Sequence, residues 1–203
     1  MQGFYDAVRD AFVGHSLLRR GSFARWGHIR AEALEGGWIA RTSDWLAWVD
    51  PDGLTTHGLR ASEDTNLGWY YNERRTEGAP LILHPVALVE TTLEFFRFVY
   101  SHIRPRAGRG QWRGRVACRR FRSQNVGLPA GHPDREHVFV IGEGPRLASA
   151  DQWNRDFDAT GNAGRDAFEA LQRFYALFGH PAAAIALVEN DMVSESQLLA
   201  LRG

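Results

Sequence analysis

Lysine is absent from the sequence. All 24 of the Lys and Arg positions are arginine, and 24 acidic side chains balance them to a formal net charge of zero. With abundant alanine and glycine, this composition is typical of a GC-rich bacterial genome. It argues against a domain that is basic throughout, as dedicated nucleic-acid binders more often are. An ordinary solvated face would also carry arginine here, so a single arginine cluster is weaker evidence than usual.

Cysteine is almost absent as well. Cys118 is the single cysteine, which excludes an internal disulfide and is compatible with a reducing compartment. No stretch approaches the roughly 18 apolar residues of a membrane span, and the N-terminus lacks the basic start and apolar run of a secretory signal. We therefore expect a cytoplasmic protein with no membrane association.

Aromatic residues are plentiful, and they predict a folded core. The chain has twelve Phe and seven Trp residues, and burial of so much aromatic surface away from water requires a folded core. Its length suits one domain over 1–203. We expect a helical N-terminal portion at 1–35, a sheet with a central helix at 36–142, and a helical C-terminal portion at 143–203.

Periodic apolar residues predict two main helices. The first begins at Pro85 and runs to about Ile103, with a narrow polar face of Glu90, Glu94, Arg97 and Ser101. The second covers about 164–178 and ends at Gly179. Shorter peripheral helices are predicted at 3–18, at 22–34 and after Ser194, which has capping-box spacing with Gln197.

Alternating or β-branched runs predict strands at about 38–49, 112–122 and 136–142, with a hairpin turn at 51–53. We read 54–80 as a loop with a short strand. Together these elements predict an α+β fold in which an antiparallel sheet packs against the two main amphipathic helices.

The strongest functional signal is the stretch GRGQWRGRVACRRFR at 108–122, in which six of fifteen residues are arginine. As a strand it has two unlike faces, because side chains alternate with period two. The inward face takes Trp112, Gly114, Val116 and Cys118, and the outward face takes Arg113, Arg115, Ala117 and Arg119, with Phe121 ending the basic face. Cys118 is then an inert buried thiol.

A row of arginines beside an aromatic ring is a pattern that binds single-stranded nucleic acid. The candidate nucleic-acid-binding residues are Arg109, Arg113, Arg115, Arg119 and Phe121. The alternative is that acids of the same fold, such as Glu90, Glu94 or Glu136, pair with these guanidinium groups at the surface.

Two polar segments are candidate sites of other chemistry. The run GHPDREH holds His132, Asp134, Glu136 and His137, which are groups that a divalent metal or an acid–base pair would use, although the histidine spacing fits no zinc pattern. The run DQWNRDFD at 151–158 lacks the calcium-loop pattern, so we read it as a capping region before the 164–178 helix. We expect no metal and no cofactor.

The segments WLAWVDPDGL at 45–54, GWYYNERR at 68–75 and the helix PVALVETTLEFFRFVY resemble a region C-terminal to the AlbA-type domain of bacterial Schlafen-like proteins. The similarity covers about 40–100 and rests on the general pattern of apolar and aromatic residues, not on an invariant motif. No catalytic residue is therefore carried over. It implies an accessory or sensing module beside nucleic-acid-processing or antiviral proteins.

These observations favour a non-enzymatic binding or regulatory module of a nucleic-acid-associated, antiviral-defence type of system. One alternative is a metal-dependent nuclease or hydrolase that uses the 132–137 cluster. Another is a protein-interaction subunit that docks a partner of the same system through exposed aromatics near Trp69.

Overall fold

The computed structural model describes residues 6, 9–11, 14–18, 30–34, 37–41, 45–49, 54–60, 78–106, 110–130 and 145–201. It contains both helices and antiparallel strands, so the predicted α+β fold is confirmed. In these ranges no helix combines the length and the apolar character needed to cross a membrane. The helices with described bounds are α1 (Pro85–Phe98), α2 (Ala163–Ala176) and α3 (Glu195–Ala200), and residues 6, 9–11 and 14 of the helix predicted at 3–18 are helical too.

The strands of the described ranges are short and fall into four separate sheets. They are β1 (Arg30–Leu34), β2 (Gly37–Arg41), β3 (Trp45–Val49), β4 (Thr55–Leu59), β5 (Leu81–Ile82), β6 (Arg113–Arg119), β7 (Val126–Leu128), β8 (Arg146–Leu147), β9 (Gln152–Asp158), β10 (Val188–Glu189) and β11 (Met192–Val193). The sheets are the meander β1-β2-β3-β4, the ribbon β6-β9, the sheet β5-β7-β8 and the hairpin β10-β11.

The prediction of a single antiparallel sheet is therefore wrong in two respects. The strands predicted at 38–49 and 112–122 belong to different sheets, and β5 pairs with β7 in parallel. The strand at 112–122 was read correctly as β6, but 38–49 comprises two strands, β2 and β3, which pair with each other. The choice of partner depends on contacts between distant segments. The strand predicted at 136–142 lies outside the described residues.

The N-terminal half forms an antiparallel meander. The hairpin predicted around 51–53 is confirmed, since β3 pairs with β4 from Trp45 opposite Leu59 to Val49 opposite Thr55. The helix predicted at 22–34 is wrong over Arg30–Leu34, which pairs with β2. Its Ala, Glu and Leu residues favour a helix locally, and pairing with a neighbouring strand overrides that weak preference.

Helix α1 begins and ends where the sequence predicts. Pro85 occupies the first turn, and the side chain of His84 accepts a hydrogen bond from the backbone N–H of Ala87 at 3.3 Å. After Phe98 the chain continues as a π-helical turn over Val99–Ile103. The helical segment therefore reaches Ile103, as predicted.

The surroundings of α1 differ from the prediction, because its expected polar face is covered by protein. Glu90 and Glu94 are both 0% exposed, whereas Arg97 is partly exposed and Ser101 is exposed. A helix that is buried on nearly all sides must lie at the centre of its domain. The two carboxylates are consequently core groups and not solvated ones.

Two clusters of buried apolar side chains meet at α1. One cluster joins its residues Leu93 and Phe96 to the ribbon and to α2, and the rings of Phe96 and Phe157 lie 6.1 Å apart. The other joins Phe98 at its C-terminal end to Val49 of the meander. Helix α1 is thus the element against which the ribbon, the meander and α2 are positioned.

The buried carboxylate of Glu94 connects the N-terminal segment 14–18 to α1. It accepts a hydrogen bond from Leu18 N at 2.6 Å and two from Arg97 at 2.8 Å, and it lies 3.1 Å from His15 Nε2. The other ring nitrogen of His15 lies 3.2 Å from His102 Nε2. A buried charge is tolerated only with such partners.

The two helices predicted in the C-terminal part are both present, whereas the strands β8, β9, β10 and β11 in the same part of the chain were not predicted. Helix α2 is capped by Asn162 and followed by Gly179, whose φ of 70° is the left-handed conformation of a helix end. Buried Asp166 of α2 accepts hydrogen bonds from Thr160 and from the hydroxyl of Tyr100, which ties the loop after β9 to the π-helical turn. Ser194 caps α3 through Gln197 N at 3.3 Å, as its spacing predicts.

Titration of His57 is expected to make stability depend on pH. Burial lowers the pKa of His57, in β4, from 6.5 to about 3, and its ring stacks on Phe95 of α1 at 5.4 Å. The unfolded chain therefore binds one more proton than the folded chain between these values, so stability falls as the pH drops below 6.5.

We expect His57→Gln to abolish this contribution, which approaches about 1.4 kcal/mol per pH unit for one proton. Urea unfolding of both proteins between pH 7 and pH 5 measures the difference in slope. His102, whose pKa is also lowered by burial, is present in both and cancels. Parallel pH dependences of the two proteins would contradict the expectation.

Removal of the Glu94 carboxylate is expected to destabilise the fold. Glu94→Gln removes the buried carboxylate that Leu18 N, Arg97 and His15 contact, at a cost of about 3 kcal/mol. The matched control is Glu195→Gln, since Glu195 is half exposed and lies 3.6 Å from the same Arg97. Urea unfolding should separate the two variants, and equal stabilities would refute the role of Glu94.

Candidate nucleic-acid interface

The arginine-rich stretch forms one strand of a two-stranded antiparallel ribbon. Strand β6 pairs with β9 along its full length, from Arg113 opposite Asp158 to Arg119 opposite Gln152. Exposure alternates along β6 as predicted, with the odd-numbered residues exposed and the even-numbered ones covered. The two-faced strand inferred from the sequence is confirmed.

The inner face of the ribbon packs on the core. Gly114 lies against Phe157, and a Cβ atom at Gly114 would sit 2.1 Å from Cζ of that ring. Cys118 faces Trp153 across the ribbon and is 7% exposed. Burial raises the pKa of its thiol, which agrees with the prediction of an inert side chain.

At one end of the outer face, acids of the fold neutralise the arginines. Arg115 makes a bidentate pair with Asp156 on the opposite strand, with Nε–Oδ1 at 2.5 Å and a second N–O distance of 3.0 Å. Arg113 Nε lies 3.9 Å from Asp158 Oδ1. The hydrogen bond from Arg115 holds the pKa of Asp156 below its usual value.

The acids that pair with the arginines are not the ones the sequence suggested. Glu90 and Glu94 are buried in α1, and Glu136 lies outside the described residues. Asp156 and Asp158 come from β9, a segment for which the sequence predicts a capping region. That reading is wrong because QWNRDFD forms a strand, in which polar residues occupy every second position from Gln152 to Asp158 and Trp153 and Phe157 lie on the other face, with exposed Arg155 between them.

The other end of the outer face is cationic. Arg119 faces Gln152, and Arg120 leaves the strand with a φ of 61°; both side chains are exposed, and neither forms an ion pair within the described part of the chain. Arg122, also exposed, lies near Asp151, whose carboxylate accepts a hydrogen bond from Ser123 N at 2.6 Å. We call Arg119, Arg120 and Arg122 the cationic end of the ribbon.

The sequence predicts that Phe121 ends the basic face, and this prediction is wrong. Its ring packs edge-on against Phe174 at 5.9 Å and close to Phe178, on the inner side of the molecule. The change of direction at Arg120 explains the difference, because regular alternation stops where the strand stops. Arg109 lies outside the described residues.

Two polar side chains of the outer face were not predicted from the sequence. Gln152 and Asn154 stand exposed on β9 beside Arg119 and Ala117 of β6. The period-two alternation of QWNRDFD was the signal that could have placed them there. No hydrogen bond to either side-chain amide occurs among the residues that the structure describes.

The remaining candidate segments are outside the described ranges. They are the cluster of His132, Asp134, Glu136 and His137 and the aromatic triplet Trp69-Tyr70-Tyr71. Over the ranges that are described, no three His, Cys, Asp or Glu side chains come together as a metal site would require.

Comparison of the chain with protein-family models, with curated proteins and with solved structures finds no match. The resemblance to Schlafen-like proteins therefore stays a prediction.

Proposed function

We propose that this chain is a non-enzymatic module that binds nucleic acid through the cationic end of the ribbon. The observation that carries the proposal is the pair Arg119 and Arg120, two adjacent exposed guanidinium groups without an acidic partner in the described part of the chain. An unpaired guanidinium binds a phosphate through two parallel hydrogen bonds.

The residues predicted from the sequence to bind nucleic acid contribute unequally in this site. Arg113 and Arg115 contribute less, because a phosphate would have to compete with Asp158 and Asp156 for them. Arg119 remains in the proposed site, and Arg120 and Arg122 join it. Phe121 acts by packing the turn against α2 and not by stacking on a base.

Zero net charge is compatible with this role, because binding of phosphates depends on local potential. The distribution of charge along the ribbon supports it, since Asp156 and Asp158 lie against Arg115 and Arg113 at one end. At the other end Arg119 and Arg120 form no ion pair within the described residues, and the carboxylate of Asp151 lies near Arg122. Weak binding at physiological salt and strong binding at low salt are expected of such a small patch.

The proposed cellular setting comes from the sequence resemblance. A place beside nucleic-acid-processing or antiviral proteins of a bacterium follows from the resemblance alone. The hydrolase alternative depends on residues 132–137 and the docking alternative on the aromatics near Trp69, so neither gains support from the described geometry.

Neutralising the cationic end should weaken binding. In Arg119→Gln/Arg120→Asn the second substitution suits the left-handed conformation of that residue. If each arginine meets one phosphate, the slope of log affinity against log salt should fall by about 2, with affinity lowered about 10-fold or more at low salt. Fluorescence anisotropy with labelled single-stranded and duplex oligonucleotides measures both.

The matched control is Arg115→Gln/Asp156→Asn, which removes two charged groups from the same face and leaves the net charge unchanged. We expect it to bind as the parent protein does. Loss of binding in this control, with the Arg119/Arg120 variant unaffected, would move the site to the paired end. Absence of binding by the parent protein at low salt would refute the proposal.

A further inference from the structure

We infer that the nucleic acid is duplex DNA and that the β6-β9 ribbon enters its major groove. The inference rests on the proposed function and deepens it by naming the ligand. Three observations carry it, namely the shape of the ribbon, the chemistry of its outer face and the absence of an aromatic ring from that face.

The ribbon has the shape of a groove reader. Each strand spans seven residues, Arg113–Arg119 and Gln152–Asp158, which corresponds to about 23 Å at 3.3 Å per residue. The major groove of B-form DNA is about 12 Å wide and admits a two-stranded β-ribbon, and several DNA-binding proteins use that element. Nothing in the described ranges covers the outer face, since its residues on both strands are exposed.

The outer face carries the side chains that read base edges. Gln152 and Asn154 have amides of the type that pairs with adenine N6 and N7, while Arg119, opposite Gln152, makes the phosphate contact of the proposed function. Between them Ala117 presents a methyl group, which suits contact with the methyl of thymine. These four residues adjoin one another as two cross-strand pairs.

A single strand would be bound differently, because single-strand sites provide aromatic rings on which bases stack. The outward positions of the ribbon contain none. They are Arg113, Arg115, Ala117, Arg119, Gln152, Asn154, Asp156 and Asp158. Of the nearby rings, Phe157 is buried in the core, and Phe121 and Trp153 are partly buried and pack against it. Duplex RNA is disfavoured as well, since its major groove is too deep and narrow for side chains to enter.

The ribbon is held rigidly enough to present these groups in register. Arg173 of α2 donates from Nε to the backbone carbonyl of Asp156 at 3.2 Å, and its guanidinium lies over the ring of Phe157 at 5.2 Å. Phe157 is 6% exposed in the main core. Recognition groups on a supported strand are positioned more accurately than groups on a loop.

Filling the major groove should block binding. The probe is a labelled DNA duplex of about two helical turns, prepared either unmodified or with glucosylated 5-hydroxymethylcytosine, whose sugars occupy the major groove. We expect the modified duplex, and a duplex RNA of the same sequence, to bind about 10-fold more weakly or worse, and distamycin in the minor groove to have little effect. Equal affinity for modified and unmodified DNA, or displacement by distamycin, would overturn the inference.

Base reading is tested by selection from a random duplex pool. Gln152→Ala/Asn154→Ala should lose about 10-fold of the preference for selected over random duplexes, while the salt slope stays that of the parent protein. Gln172→Ala, an exposed glutamine on α2, is the control and should retain the preference. A double alanine variant with unchanged preference contradicts the inference.

The failures of the two proposals are distinguishable. If the parent protein binds no DNA or RNA at low salt, the proposed function fails and the groove inference fails with it. If it binds with the salt dependence expected for Arg119 and Arg120 but is insensitive to glucosylation, only the groove inference fails.

Discussion

The near-complete burial of helix α1 is the constraint on which the rest of the structure depends. Its apolar side chains contact the ribbon and α2 through one cluster and the meander through the other. Because Glu90 and Glu94 are also enclosed, the helix can occupy this position only if its carboxylates are satisfied inside the protein. For Glu94, that requirement brings the N-terminal segment 14–18 into the fold, through His15 and Leu18.

The ribbon illustrates how a strand with two unlike faces separates stability from recognition. Its inner face is committed to packing, and Gly114 shows how tightly, since Phe157 leaves no room there for a side chain. Its outer face contributes little to stability, because exposed ion pairs such as Arg113 with Asp158 are worth little in water. The outer residues are therefore available to be selected for binding, and they differ from one end of the ribbon to the other.

Local patterns were sufficient to predict the elements whose signals lie within a few residues. Pro85 and the three- and four-residue spacing of apolar side chains identified α1, and Gly179 marked the end of α2. Period-two alternation identified β6 and its two faces. The same rule would have identified β9, where the acids were read as loop residues. The strand Arg30–Leu34 was missed for another reason, since its residues favour a helix until β2 pairs with them.

Composition and periodicity alone thus established an α+β chain, a central helix and an arginine-bearing strand with one wet face. Only the tertiary structure decided what that face meets, because cross-strand partners are set by the pairing of segments some forty residues apart. Pairing placed Asp156 opposite Arg115 and Gln152 opposite Arg119, so one arginine is neutralised and the other is not. The sequence determines which residues are charged, but only the neighbours in space determine whether a charged side chain is free to bind a ligand.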